Sequence, residues 1–388
     1  MGVGNVIAAL RHSNRVCHVD LCVTGSLLET MVTVMQKPFP VLAHIKILLT
    51  VGVVAVLPDG FLGGSAPRLQ KIHLHNLSFP ALPRLLLSTS NLITLSLGPI
   101  PPTDYISPEA MVACLAALPR LETLFIAFQS STPRPSRIRP SPLTRIVLPA
   151  LTSFTFQGAS EYLEDLVARI GSHQLELIHV DCLNPLVDVP VAQLPKFVDR
   201  SVGPKLTLFK HAQVRYSYGS FSFGMYRPEY HPFWDRVPAR PFKRTIKRTI
   251  ISCAGIGRQV SNIAQVLSRF STTLSNVVHL ELEVRPKAGR QLESATNIDW
   301  LHLLRQFSAA KTLYLSPELT GCVAPALEDI TEEMVTEVLS SLDLICLDAR
   351  PVPSVEKFVA VRRLSGRAVT IVDTKAEFSE RLEPYISE

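Results

Sequence analysis

Leu69-Gln-Lys-Ile72-His-Leu74 and Leu92-Ile-Thr-Leu95-Ser-Leu97 share one shape, Leu-x-x-Φ-x-Φ, where Φ is aliphatic or aromatic. The same shape returns at Leu42/Ile45/Ile47, Leu121/Leu124/Ile126, Leu151/Phe154/Phe156, Leu175/Ile178/Val180 and Leu342/Ile345/Leu347. The six from Leu42 to Leu175 begin 27, 23, 29, 30 and 24 residues apart, close to the roughly 20–29 of leucine-rich repeats. Such a unit cannot bury its apolar face alone, so neighbours must stack. The expected fold is α/β: an irregular leucine-rich-repeat-like solenoid, with a parallel sheet on the concave face and helices and loops on the convex face. The span 1–388 reads as a single solenoid domain.

Composition agrees with long buried ladders. Hydrophobic residues make up 47% of the chain and mean hydropathy is +0.23, values that exclude a disordered protein. The net charge of +6 permits an acidic partner or nucleic acid without requiring one. Seven scattered cysteines with no C-x-x-C spacing read as reduced thiols, which points to the cytoplasm or the nucleus. No secretion signal opens the chain, and the most apolar window, Ile47 to Leu57, is shorter than the ~20 residues that cross a bilayer. No membrane association is expected.

Helix signals fall between the strands. Leu27, Leu28, Met31 and Met35 recur at helical spacing within 26–36. Ser107-Pro108-Glu109 supplies an N-cap, a proline at the first helical position and an acidic first turn. Ser160-Glu161 opens a second such helix, which Gly171 is expected to close as a C-terminal cap. Further helices are expected near 259–270, 299–307 and 331–339. Two segments break the rhythm. Residues 130–142 form a Ser/Pro/Arg-rich surface loop, and 197–248 is an insertion. Within the insertion, Val214–Tyr218 and Phe221–Tyr226 read as a hairpin turning at Gly219, followed by a basic and aromatic loop.

Five passages carry a resemblance: NVIAALRHSNRVCHVDL, VLPDGFLGGSAPRLQKIHLHNLSFPALPRLLLS, LTRIVLPALTSFTFQGASEYLEDLVARI, WLHLLRQFSAAKTLYLSPELTGCVAPALEDI and EKFVAVRRLSGRAVTIVD. In order and spacing they resemble a large family of basidiomycete fungal F-box proteins with irregular leucine-rich repeats. The resemblance implies a repeat domain that recruits a protein target, tethered by an F-box to the small adaptor of a cullin ubiquitin ligase. The F-box would precede the first repeat, whereas residue 1 already sits at the repeat entrance. The expectation is therefore a substrate-receptor repeat region without its F-box, with the cullin ligase adaptor a partner only if an F-box is supplied upstream.

Strand alternation turns the Φ residues inward and their neighbours outward. The outward row reads His18/Asp20, His44/Lys46, Lys71/His73/His75, Thr94/Ser96, Thr123/Phe125, Ser153/Thr155/Gln157, His179/Asp181, His279/Glu281 and Thr312/Tyr314. From it we select Lys71, His73, His75, Ser96, Phe125, Thr155, His179, Asp181, Glu281 and Tyr314 as the candidate protein-binding face, set against the plainer reading of a solvated strand surface. The row is rich in histidine, but no acidic or cysteine partner completes a metal site, so no metal is expected. Arg240, Lys243, Arg244, Lys247 and Arg248, interleaved with Phe233, Trp234 and Phe242, form a candidate basic patch. That patch carries the alternative function, a nucleic-acid-associated protein working through residues 226–248. Gly255-Ile256-Gly257 imitates a dinucleotide turn, yet Val260 occupies the third glycine position and the repeat context makes it an ordinary strand-to-helix turn. With no nucleophile elbow, P-loop or paired carboxylates, no cofactor and no enzymatic activity are expected. The leading reading is a non-enzymatic module that binds a protein target of unknown identity.

Overall fold

The computed structural model describes residues 2–50, 55–132, 145–184, 192–202, 210–217, 220–226, 248–254, 260–284, 295–347 and 352–373. It is a mixed α/β protein with a large parallel sheet. Two compact units are present, Met1–Asn184 with Ala192–Gly203, and Pro185–Val191 with Pro204–Glu388.

The first unit runs α1 (Val3–Leu10), β1 (His18–Val23), α2 (Gly25–Val34), β2 (His44–Leu49), β3 (Ala55–Val56), β4 (Lys71–His75), β5 (Leu77–Ser78), α3 (Leu82–Leu87) and β6 (Thr94–Ile100). It continues through α4 (Pro108–Ala116), β7 (Thr123–Phe128), β8 (Ile146–Val147), β9 (Ser153–Gly158), α5 (Ser160–Arg169), β10 (Ile170–Gly171), β11 (Leu177–Cys182) and α6 (Gln193–Val202). Seven strands pair in parallel in the order β1-β2-β4-β6-β7-β9-β11. The pairing is in register, so Val19, Ile45, Ile72, Leu95, Leu124, Phe154 and Ile178 form one continuous inward line. All seven are buried. Helices α3 to α6 pack each against the next.

Local chemistry starts and stops these helices. Ser107 Oγ accepts from the Ala110 N–H at 3.2 Å, and Pro108 takes the first helical position. Helix α6 borrows its cap from α5. The Glu164 carboxylate accepts from the backbone N–H groups of Ala192, Gln193 and Leu194 at 2.9, 2.7 and 2.9 Å. Three otherwise unpaired donors and the positive end of the helix dipole thus meet one negative charge. Helix α5 ends differently from expectation. Ile170 is extended, and Ile170–Gly171 pairs in parallel with Ile146–Val147, so Gly171 is a strand residue and not a left-handed cap. Gly98 is a position where glycine is required: φ is 149°, and a Cβ there would meet the Ala127 side chain at 2.6 Å.

The second unit contains β12 (His211–Ser217), β13 (Ser220–Tyr226), β14 (Arg248–Ala254), α7 (Val260–Ser268), α8 (Ser271–Leu274), β15 (His279–Val284), α9 (Asn297–Leu304) and β16 (Thr312–Leu315). It closes with α10 (Pro317–Glu328), β17 (Leu344–Leu347), α11 (Pro353–Leu364) and β18 (Thr370–Asp373). Its sheet is not wholly parallel. Strand β13 runs antiparallel to both β12 and β14, while β12, β15, β16, β17 and β18 pair in parallel. The two strands of the expected hairpin pair antiparallel and are members of the sheet, while its turn at Gly219 lies outside the described residues. The expected insertion also begins inside α6, where Phe197 and Val198 are buried.

The 331–339 stretch, expected as a helix, holds only a 3₁₀ turn at Met334–Thr336, and Leu339 has a φ of 48°. Arg362, on α11 and 1% exposed, answers this irregularity. Its guanidinium donates to the carbonyls of Val335, Leu339 and Leu342 at 3.4, 3.3 and 2.6 Å. Substituting Arg362→Met removes the donors and leaves buried carbonyls unpaired. Urea unfolding of this variant should show a loss of about 2 kcal/mol or more, whereas Arg363→Met, at the exposed neighbouring position, should match the wild type.

Candidate functional site

Register pairing assembles the outward row from seven separate strands. Asp20, Lys46, His73, Ser96, Phe125, Thr155 and His179 stand side by side in one line. At about 4.8 Å between strands the line spans roughly 29 Å. Along β9 and β11 the inward residues are buried and the outward ones half-buried, the signature of one packed and one accessible face. Five of the ten candidate binding residues, His73, Ser96, Phe125, Thr155 and His179, therefore occupy one line. Lys71 begins the next line, beside His44 and Thr94. His75 lies opposite Leu48, and Asp181 opposite Gln157. Burial raises the Asp181 carboxyl above the usual range, and His179 partly offsets this.

The β1-β2-β4 end of this face is a cluster of imidazoles. His18 stacks on His44 with ring centroids 4.1 Å apart, and His44 stacks on His73 at 5.5 Å. Lys46 Nζ lies 3.1 Å from Asp20 Oδ2, an exposed pair that contributes about 1 kcal/mol at most. Burial lowers the His44 pKa below the ordinary value, with His18, His73 and Lys71 adding repulsion. Burial likewise lowers that of His73, with Lys46 and Lys71 acting in the same direction. Asp20 opposes both shifts. The Nε2 of His44 is buried and has no hydrogen-bond partner among the described residues.

The second unit carries a different outward face. Gln213, Glu281, Tyr314 and Cys346 are register neighbours on β12, β15, β16 and β17. Gln213 Nε2 donates to Glu281 at 2.9 Å and to Glu283 at 3.2 Å, and Arg215 Nε donates to Glu283 at 2.9 Å. His211 stacks on His279 with centroids 4.4 Å apart. Tyr226 folds over Gly224, where any Cβ would collide with its ring, and its hydroxyl donates to Gln213 Oε1 at 3.4 Å. Glu281 and Tyr314 are adjacent, as expected from their shared row, but Tyr314 is only 7% exposed. It packs as part of the face and offers little surface to a partner. The sequence reading missed His211, Gln213, Arg215 and Glu283. The signal was present in the alternation of His211, Gln213 and Arg215 with Ala212, Val214 and Tyr216.

Of the basic patch, Arg240, Lys243, Arg244 and Lys247 lie outside the described residues, and only the backbone of Arg248 is placed, in β14. The Gly255–Gly257 turn and residues 133–142 also lie outside them. Among the described residues, no group of three or more His, Cys, Asp and Glu is positioned to hold a metal ion. No helix among them is long and apolar enough to cross a membrane. A cavity of about 20 Å³, lined by Leu74, Phe79, Leu97 and Ile106 among others, has room for about one water molecule. The accessible strand face is thus the broader candidate surface. The sequence matches no protein-family model and no curated protein.

The lowered pKa values of His44 and His73 have a sign that can be worked out. Between 6.5 and their lower folded values, the folded chain holds fewer protons than the unfolded chain. Stability of the first unit is therefore full above pH 6.5 and falls as the pH drops through that window. Denaturation midpoints measured from pH 7.5 to 5.0 should decline less steeply for His44→Gln/His73→Gln than for the wild type.

Proposed function

We propose that the chain is an irregular leucine-rich-repeat scaffold that works by binding a protein target and not by catalysis. Its role would be that of the substrate-recognition repeats of an F-box ubiquitin-ligase receptor. The observation that carries this reading is the line Asp20–Lys46–His73–Ser96–Phe125–Thr155–His179. Seven strands bring it together from across 160 residues of sequence, which gives a partner a broad surface of fixed geometry. Its chemistry suits a protein segment. Ser96 and Thr155 give and accept hydrogen bonds, Phe125 gives apolar area between them, and His73 and His179 read charge at either side.

The reading predicts that bulk and charge at the centre of the line abolish capture. In quantitative pull-downs from native extract, Ser96→Arg/Thr155→Arg should lose its specific partner by about tenfold or more. Ala113→Arg/Ala116→Arg, on the exposed side of α4, should retain it. An unchanged partner set in the strand-face variant would remove the proposal.

A further inference from the structure

The imidazole cluster at the β1-β2-β4 end of the first unit has a chemistry that the rest of the line lacks. Three neighbouring strands contribute His18, His44, Lys46, Lys71, His73 and His75, against a single carboxylate, Asp20. Asp20 is already engaged by Lys46 at 3.1 Å. Lys71 and His75 are exposed, and no ion pair joins either of them to an acid among the described residues. At neutral pH the cluster carries about one uncompensated positive charge. Protonation of His44 and His73 adds further positive charge in the same area.

We propose that this corner docks an acidic peptide segment of the protein target, and that its hold on that segment tightens as the pH falls. The inference rests on the reading of the strand face as a protein-binding surface and names the chemistry of one part of it. Three observations converge. The cluster is cationic, and among the described residues no ion pair to an acid neutralises Lys71 or His75. The buried His44 Nε2 has no hydrogen-bond partner among the described residues, so a proton there lacks a compensating acceptor inside the cluster. Stacked rings 4.1 and 5.5 Å apart cannot all be charged without mutual repulsion, unless an anion lies over them. Protonation and carboxylate binding must therefore favour each other by equal amounts.

The groups that face the imidazoles are Asp20 and His18 on β1, Lys46 and His44 on β2, and Lys71, His73 and His75 on β4. The next strand, β6, adds only Thr94 and Ser96. Carboxylates with pKa values near 4 stay ionised at pH 5.5, so a bound peptide keeps its charge as the pH falls and favours the protons that burial and repulsion hold off His44 and His73. A peptide is favoured over single-stranded nucleic acid because strands β1, β2, β4 and β6 carry no Phe, Tyr or Trp to add to the imidazoles as a stacking platform. The nearest aromatic on the line, Phe125, stands two strands from His73.

The test uses the full chain and a fluorescent octa-aspartate peptide, followed by anisotropy at pH 7.5 and 5.5 in 0.1 M salt. Wild type should bind about tenfold more tightly at pH 5.5, and the gain should shrink at 0.5 M salt. His18→Gln/His44→Gln/His73→Gln should lose the pH-dependent gain while retaining its circular dichroism spectrum. If that variant unfolds, Lys71→Glu at an exposed position decides instead, and should weaken binding several-fold at both pH values. Equal affinity at the two pH values, or a gain retained in the triple variant, overturns the inference. So does an octathymidylate that competes as well as the peptide. Failure here with partner loss in Ser96→Arg/Thr155→Arg would leave the binding-face reading standing; peptide binding with no such loss would do the reverse.

Discussion

In-register stacking of buried aliphatic side chains is the constraint on which the first unit depends. Each strand presents one side chain from the line Val19–Ile45–Ile72–Leu95–Leu124–Phe154–Ile178 and one from the parallel line Leu21–Ile47–Leu74–Leu97–Ile126–Phe156–Val180. A fully buried side chain of this size contributes about 1.5–3 kcal/mol, and a slip of one residue would turn every member toward water. The outward line is a by-product of that inward one. Asp20, Ser96 or Thr155 adds little to holding the sheet, yet each is held to within one strand spacing of its neighbours. Side-chain chemistry can thus vary at the outward positions while the inward ones stay fixed.

Much of this was legible because the period of two is strict. Leucine at the first position of the Leu-x-x-Φ-x-Φ shape ends the loop before each strand, and Leu42, Leu69, Leu92, Leu121, Leu151 and Leu175 are all buried. Register followed from aligning those shapes. Elements without such a marker were harder to read. Helix α10 opens with Ser316-Pro317-Glu318, the same signal as Ser107-Pro108-Glu109, but Pro325 inside it disguises the helical pattern. The 331–339 stretch has helical spacing of apolar residues, yet Arg362 supplies its carbonyls with donors from another helix, so a regular helix is not needed there. Gly171 looked like a cap because glycine usually ends helices; pairing with Val147 satisfied its backbone instead.

The candidate surface was half legible. Alternation alone placed His73, Ser96, Phe125, Thr155 and His179 on one face, and the register then aligned them. Which of them remain accessible depends on neighbours that a sequence does not name. Tyr314 follows the alternation but is covered, whereas His211 and Gln213 entered the face through a strand whose start had been placed three residues too late. The imidazole stacks were out of reach for the same reason. His18 and His44 touch because β1 and β2 pair at those residues, and His73 reaches His44 diagonally across one register step.

The uniform register also bears on how such a chain can change length over evolutionary time. Thr94 and Thr123 both sit at the same height in successive strands, each following a leucine that closes the preceding loop. Excising 94–122 would bring Thr123 directly beside Lys71, with Leu124 meeting Ile72 and Ile126 meeting Leu74. Duplicating that span would extend both lines by one member. Gain or loss of a module at these seams leaves the surviving rows unbroken, so lineages can lengthen or shorten the outward face without first inventing a new interior.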